Sequence, residues 1–461
     1  MRQQGRCSFS SNDAGRVLDR LAGLEQLIPP DVQRQVLMET HRVNPRACKL
    51  THEVMLWVVL AMGIFTDAPI RQVFKLCRRS RSGEHTPARS SLCEARQRLG
   101  VEPVAALFRR VVRPLAKPDT PGAFYRGKRW MAFDGSIFDV PDSPANAAAF
   151  GRANGSRGPG AFPQVRKVSL TELGTHVEVA LALGGWQDGE TTLVQQLFEH
   201  IPDDALVVVD RNFFSYHLWK TLAKRGVALL ARIKSHLVLR PIRTLSDDSF
   251  LAKIYASDKD RRHDQNGIVV RIIAYTLDDP QRVGHQQRHR LMTTLLDEQQ
   301  YPALELVCGY HERWEIELLF DEQKTHQDPI RPGKPAHLRS ETPEGVHQEI
   351  LALSLAHFVT RALMFQAAEQ IDLDPDRLSF SNCLRVLRCR LPECEVQTPA
   401  SMEAWYTGLL WELGQERIEP RRNRINPRVV KRKMSKFAKK RPEHRGLPPL
   451  QKAFAESVVI T

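Results

Sequence analysis

The chain has 461 residues, 42% hydrophobic and 26% charged, the proportions of an ordinary globular protein with room for about three domains. Its formal net charge of +14 points to a polyanionic partner. The longest apolar run, Val54 to Phe65, falls short of the roughly 18 residues a membrane span needs, no apolar stretch follows Arg2, and none of the eight cysteines forms a CxxC pair, so the expectation is a cytoplasmic protein without a membrane segment, export signal or zinc module.

Residues 1 to 116 read as a helical N-terminal domain. Ser91-Leu-Cys-Glu94 has the form of a capping box opening a helix that carries Arg96 and Arg98. Arginines spaced in this way either rest on DNA phosphates or form a solvated face. Lys117 to Ala123, with Pro118, Pro121 and Gly122, is a linker.

The texture then changes. Arg129 to Val140 opens on apolar residues Trp130 to Phe133, a strand predicted to end at Asp134. Arg166 to Leu173 and His176 to Leu183 read as strands broken at Gly174. Ala205 to Val209 is a wholly apolar strand ending at Asp210, followed by a helix over Ser215 to Arg225 and a strand over Val227 to Ile233. Runs this apolar imply strands buried on both faces, and their alternation with helices implies an α/β core.

Between about 235 and 300 short strands and polar turns form a β-rich insertion, clearest at Ile268 to Leu277 and His289 to Leu296. Pro302 to Gln327 reads as one long helix, and Glu349 to Glu369 as a second, strongly apolar one. The organisation expected is a helical domain over 1–116, an α/β domain over 124–375 and a helical region over 376–461. The last of these includes a basic tail over 417–445, where 13 Lys and Arg against Glu419 and Glu443 give +11 of the total +14. Such a tail would neutralise phosphates and make binding salt-dependent; the alternative is a solvated terminus with no single partner.

Asp134 and Asp210 share a context, an acid at the end of an apolar strand, where side chains leave the core and meet solvent. A lone Asp there is as readily a turn residue. Tyr310, Arg313, Glu317 and Lys324 stand at offsets of three, seven and fourteen residues from the tyrosine. On a helix of about 3.6 residues per turn these fall within about 60° of one another, one stripe bearing a phenol, a guanidinium, a carboxylate and an ammonium. An exposed face with intrahelical ion pairs would look the same. Three carboxylates from separated segments suit two Mg²⁺ ions, which prefer oxygen ligands and promote phosphodiester displacement when about 4 Å apart. Arg313 and Lys324 then suit phosphate oxygens, and Tyr310 suits the DNA end.

These residues resemble the insertion element 4 family of bacterial DDE transposases. Tyr310-x2-Arg313-x3-Glu317-x6-Lys324 has the spacing of that family's Y-R-E-K pattern, within YHERWEIELLFDEQKTH (310 to 326). FDGSIFDVPDSPANAAAFG (133 to 151), FPQVRKVSLTELGTH (162 to 176), VVVDRNFFSYHLW (207 to 219) and SLCEARQRLG (91 to 100) are similar to its other segments.

The resemblance implies an α/β fold with a ribonuclease-H-like core, a mixed five-stranded sheet flanked by helices and carrying a β-rich insertion. It implies Asp134, Asp210 and Glu317 as catalytic metal ligands for two Mg²⁺ ions, with Mn²⁺ able to substitute. Tyr310, Arg313, Lys324, Arg211, Arg96 and Arg98 become the DNA-binding set. The implied activity is binding of terminal inverted repeats, metal-dependent cleavage through a hairpin intermediate, and strand transfer. The partners are double-stranded DNA at element ends and target, and a second copy in a homodimer, associated with the nucleoid when bound.

One departure stands out. Between Ser235 and Gln300 there is no tryptophan to stack on a flipped base, only Phe250, Tyr255 and Tyr275. The competing readings are a non-catalytic relic that binds element ends as a repressor, a host nuclease with the same core, and an RNA-binding protein using the basic tail alone. Terminal inverted repeats in the flanking DNA separate the mobile element from the other readings.

Overall fold

The computed structural model describes residues 18–43, 49–79, 85–155, 158–234, 237, 239–280, 282, 285–328, 338–419 and 452–461. Five helices come first: α1 (Pro30–Glu39), α2 (His52–Ile64), α3 (Ile70–Leu76), α4 (Arg89–Leu99) and α5 (Glu102–Val111). The predicted capping box does not form. α4 starts three residues earlier, capped by Ala88 without a side-chain hydrogen bond, so Ser91 already lies inside the first turn. α2 is buried on nearly every side because α12 (Pro343–Gln370), described below, lies against it. Gly63 permits that approach, since a Cβ there would lie 2.1 Å from the Ala352 carbonyl oxygen.

The strands follow: β1 (Phe124–Tyr125), β2 (Lys128–Asp139), then α6 (Pro144–Phe150), β3 (Arg152–Gly155), β4 (Gly158–Glu172), β5 (Val177–Gly184) and the single turn α7 (Glu190–Leu193). β2 does not end at Asp134. Its antiparallel ladder with β4 runs on through Asp134↔Ser169 and Phe138↔Val165 to Asp139↔Gln164, because Ser136 and Phe138 return to the buried face beyond the acid. β5 begins one residue later than expected. His176 instead closes the preceding turn in the left-handed region (φ 56°), unusual for a residue with a Cβ.

The chain continues through β6 (Ala205–Val209), α8 (Tyr216–Lys224), β7 (Ala228–Arg232), β8 (Arg243–Thr244), β9 (Phe250–Ile254), α9 (Asp258–His263), β10 (Ile268–Leu277), β11 (His289–Thr293) and α10 (Ala303–His311). The expected single helix over 302–327 is not continuous. A 3-10 turn over Glu312–Trp314 separates α10 from α11 (Glu315–Asp321), and a π turn over Glu322–Gln327 ends the run. After α12 come α13 (Phe380–Arg390), α14 (Pro399–Leu413), α15 (Phe454–Ser457) and β12 (Val458–Ile460).

The described residues fall into two compact units. The first comprises the chain to Ile201 together with Glu315–Glu419; the second comprises Pro202–Trp314 and the residues from Lys452. In the first unit β5, β4 and β2 form an antiparallel sheet, with β1 on β2 and β3 on β4. Its helical core gathers α1 to α5 around α12, joined by α13 and α14. α12 is long and apolar enough to cross a membrane, but 94% of its apolar window is buried within the protein, as the axis of this core.

In the second unit β6 and β7 pair in parallel across α8, and the β-rich insertion extends from β7 in the order β11, β10, β9, β8. β12 pairs with β10 in the same sheet.

Candidate active site

Asp134 sits half-buried in the middle of β2, and its Oδ1 accepts from the Gly135 N–H at 2.8 Å. Gly135 has no side chain because Glu190 of α7 covers it: a Cβ there would lie 2.5 Å from Glu190 Oε1. Fifty-five residues separate Glu190 from Gly135 in the chain, so no local sequence signal marks this contact.

Glu317, half-buried, lies on α11, which packs against β2. Lys324 follows in the π turn, where Nζ donates to the Ile137 carbonyl at 2.6 Å and to Ser136 Oγ at 3.1 Å. Burial pushes its ammonium pKa down, Lys167 adds to that, and Asp139 opposes it.

The π turn has a physical cause. Its side chains meet buried polar partners in several directions that an α-helix would not serve at once. Glu322 accepts from His357 Nε2 at 2.9 Å and pairs with Arg361. Gln323 accepts from Lys167 Nζ at 2.5 Å and donates to Glu178 Oε2 at 3.1 Å. Gln327 Nε2 donates to the carbonyls of Gly63 (3.0 Å) and Leu353 (2.9 Å). Local π geometry of this kind recurs at functional sites.

Beneath α11 lies a buried network that sequence reading did not find. His176 Nε2 faces Glu315 Oε2 at 2.8 Å and Asp376 Oδ1 at 3.4 Å, and its Nδ1 faces Glu322 and Arg361. Burial and Arg361 push the His176 pKa down, but Asp376 and the hydrogen bonds to Glu315 and Glu322 outweigh them and hold it at about 9. His176, Glu315 and Asp376 have metal-like spacing, with ligand atoms within 4.8 Å of one another. Both ring nitrogens are engaged, however, and Arg361 supplies the compensating cation, so the cluster reads as an ionic brace for the helix bearing Glu317.

In the second unit, Asp210 stands directly after the fully buried β6, as expected. Its carboxylate accepts from the Asn212 N–H at 2.6 Å, and Arg211 beside it is exposed. The Tyr310 hydroxyl donates to the Val209 carbonyl at 3.4 Å. Burial raises the phenol pKa; Arg313, which is hydrogen-bonded to it, Asp210 and Arg232 are the charges acting on it. Arg232 was not singled out from sequence. It ends β7 next to Ala231, the partner of Val209, and its Nη2 lies 2.9 Å from His289 Nδ1.

Asp134, Glu317 and Lys324 thus belong to the first unit, and Asp210, Arg211, Tyr310 and Arg313 to the second. The predicted single helical stripe is not what holds the four motif residues, because the 3-10 turn at Arg313 and the π turn at Lys324 break its periodicity. Arg98 is exposed, whereas Arg96 is not available to phosphates. Its Nε donates to Gln348 Oε1 at 2.8 Å and its Nη2 to the Gly345 carbonyl at 2.6 Å, fastening α4 to α12.

Of the insertion aromatics, Tyr275 is buried against His289, with ring centroids 5.2 Å apart. The Tyr255 hydroxyl donates to Asp264 at 2.7 Å, and Phe250 is half-buried. Asp134 and Glu317 in the first unit, and Asp210 in the second, are half-buried carboxylates, the hard oxygen donors that divalent cations prefer.

Residues 18–109 match the insertion element 4 transposase N-terminal family, and residues 125–359 match the transposase DDE domain. The chain is 29% identical over 426 residues to the transposase InsG for insertion sequence element IS4 of Escherichia coli (strain K12), spanning 90% of this chain and 93% of that protein. It is 29% identical over 196 residues to the putative transposase InsZ of the same organism, spanning 42% of this chain and 64% of that one.

Proposed function

The chain belongs to the DDE transposases of the insertion element 4 family, and on that premise we propose that it binds the terminal inverted repeats of an insertion sequence, cleaves them and transfers the freed strands to new DNA. Asp134, Asp210 and Glu317 are the metal ligands in this reading. Two bound Mg²⁺ ions would supply activation of the attacking oxygen and stabilisation of the leaving one. The chain's own side chains orient the DNA. Arg313 and Arg232 meet phosphate oxygens, Tyr310 borders the bound end, Lys324 adds a point charge, and Arg211 and Arg98 contact the backbone nearby.

The observation that carries the reading is the packing of α11, with Glu317, on β2, with Asp134, while Asp210 leaves the core at the end of β6. The antiparallel strands β5, β4 and β2 of the first unit and the parallel pair β6 and β7 of the second are strand types that a ribonuclease-H-like core contains, which supports the reading. Residues 1–116 act as the end-binding domain and a second copy completes the synapse. A hairpin intermediate remains part of the proposal, with Phe250 or Tyr255 as the stacking aromatic, since Tyr275 is buried.

The test is strand cleavage and transfer on a labelled duplex carrying the gene's own flanking DNA, with Mg²⁺ or Mn²⁺. Metal-dependent cuts at the element boundary by the wild type, absent in Glu317→Gln, are expected. Binding without cutting would replace this reading with the repressor, and cutting blind to sequence would replace it with the nuclease.

A further inference from the structure

The segment Lys452–Thr461 is built into the second unit by backbone and side chain. β12 extends β10 through Leu277↔Val458, Thr276↔Val459 and Tyr275↔Ile460, and the Thr461 N–H donates to the Ala274 carbonyl at 2.8 Å. The Asp278 N–H donates to the Ser457 carbonyl at 2.7 Å, and Lys452 Nζ pairs with Asp278 at 2.9 Å. Phe454 is buried at the centre of this attachment. One face of its ring stacks on His311, with centroids 4.2 Å apart and planes 15° apart. Arg282 also lies over the ring, 5.4 Å from its centroid, and is fixed by Asp279 at 3.0 Å and the Lys452 carbonyl at 2.8 Å.

His311 is the last residue of α10. It directly follows Tyr310 and precedes the 3-10 turn that carries Arg313. The change from α to 3-10 winding therefore occurs where Phe454 is stacked. The geometry points to Lys452–Thr461 as a positioning element: it clamps the joint between Tyr310 and Arg313 and so sets the direction in which the two side chains leave the helix. The inference rests on the proposed role of Arg313 in DNA processing. Phe454 and His311 are positioning residues, and neither touches the reacting atoms. Groups that align DNA for in-line displacement tolerate little misplacement, since shifts of about 1 Å cost on the order of a hundredfold in rate.

The experiment compares full-length wild type with Phe454→Ala, Phe454→Trp, His311→Ala and Arg313→Ala. It measures single-turnover cleavage of a saturating end duplex, end-duplex affinity, thermal unfolding, and amide exchange over residues 303–314. Phe454→Ala is expected to slow cleavage at least about tenfold at near-unchanged affinity and melting temperature, and to speed exchange over 303–314. His311→Ala should reproduce both effects without disturbing β12, and Phe454→Trp should restore both. Wild-type cleavage and exchange in Phe454→Ala, beside an inactive Arg313→Ala, would overturn the clamp. Wild-type cleavage in Arg313→Ala would instead overturn the role given to Arg313, while the exchange data would still decide whether Phe454 holds the joint.

Discussion

Lys324 reaches from the π turn to the main chain of β2, placing its ammonium 2.6 Å from the carbonyl oxygen of Ile137, three residues beyond Asp134. The same group lies over the Phe138 ring, 5.0 Å from its centroid. The contact ties the segment that follows Glu317 to the strand that carries Asp134. Lys324 therefore has a structural task in addition to any contact with phosphate.

Lys324→Met should lower stability by roughly 1.5–3 kcal/mol, the range for a lost charge-assisted hydrogen bond, and should also reduce strand cleavage. Thermal unfolding and cleavage read on the same preparation check this. An unchanged melting temperature with lost cleavage would leave Lys324 a DNA contact alone.

Asp134→Asn, Asp210→Asn and Glu317→Gln should each abolish cleavage while binding the end duplex nearly as wild type does, because each change removes a proposed metal ligand and leaves the basic contacts. Mobility shift and cleavage assays on one labelled duplex separate the two effects. Any of the three that still cuts is not a ligand.

Arg96 and Arg98 should behave as opposites although they are two residues apart. Arg96→Ala leaves Gln348 Oε1 and the Gly345 carbonyl without that donor, while Glu349 loses Arg96 at 3.8 Å but keeps Arg339 at 3.3 Å. Leaving such buried acceptors without their donor costs roughly 1–3 kcal/mol, so urea unfolding should shift measurably while DNA affinity per folded molecule holds. Arg98→Ala, at an exposed position, should leave stability within about 0.5 kcal/mol and weaken end binding.

The His176 network makes stability depend on pH in a defined direction. Its neighbours are Glu315 from α11, Glu322 from the π turn, Arg361 from α12 and Asp376 from the turn after α12, with His357 beyond Glu322. The folded pKa of about 9 lies above the ordinary 6.5, so protonated His176 contributes stability that is fully present below 6.5 and lost as pH rises through about 9. Asp376, whose pKa burial raises, acts in the same direction. The melting temperature should therefore fall towards pH 9, and His176→Gln should flatten that part of the curve. A parallel decline in the variant would assign the effect to other groups.

The α/β class, β6 with Asp210 at its end, β10, and the change of texture at the insertion were legible because each is written in contiguous residues: apolar runs, alternation and turn signals. What sequence misplaced depends on partners remote in the chain. Asp134 lies mid-strand because β4 continues the ladder past it. Arg96 turns inward because Gln348 and Gly345 wait on α12. The helix carrying the motif leaves α geometry where buried residues of β4, β5 and α12 demand other directions of its side chains. Glu190 and Arg232 have no local signal at all, since only the sheets bring them to Gly135 and Tyr310.

The basic segment between Arg417 and Arg445 lies, beyond Glu419, outside the described residues, but both its flanks are placed. Before it, the Ile418 carbonyl accepts from Arg377 Nε at 2.7 Å; after it, Lys452 begins the attachment to β10. Deleting everything after Glu416 would therefore remove Phe454 and β12 together with the charge. Replacing the lysines and arginines of 421–445 by glutamine and serine isolates the electrostatic contribution. Counterion release makes the salt slope of log affinity roughly −0.9 per phosphate neutralised. Neutralisation should flatten that slope and weaken specific and non-specific duplexes alike, leaving the ratio between them near its wild-type value. Titrations of both duplexes over a range of salt check this. A fall in the specific-to-non-specific ratio at constant slope would mean that the segment reads sequence, and its charge would then no longer be the reason it binds.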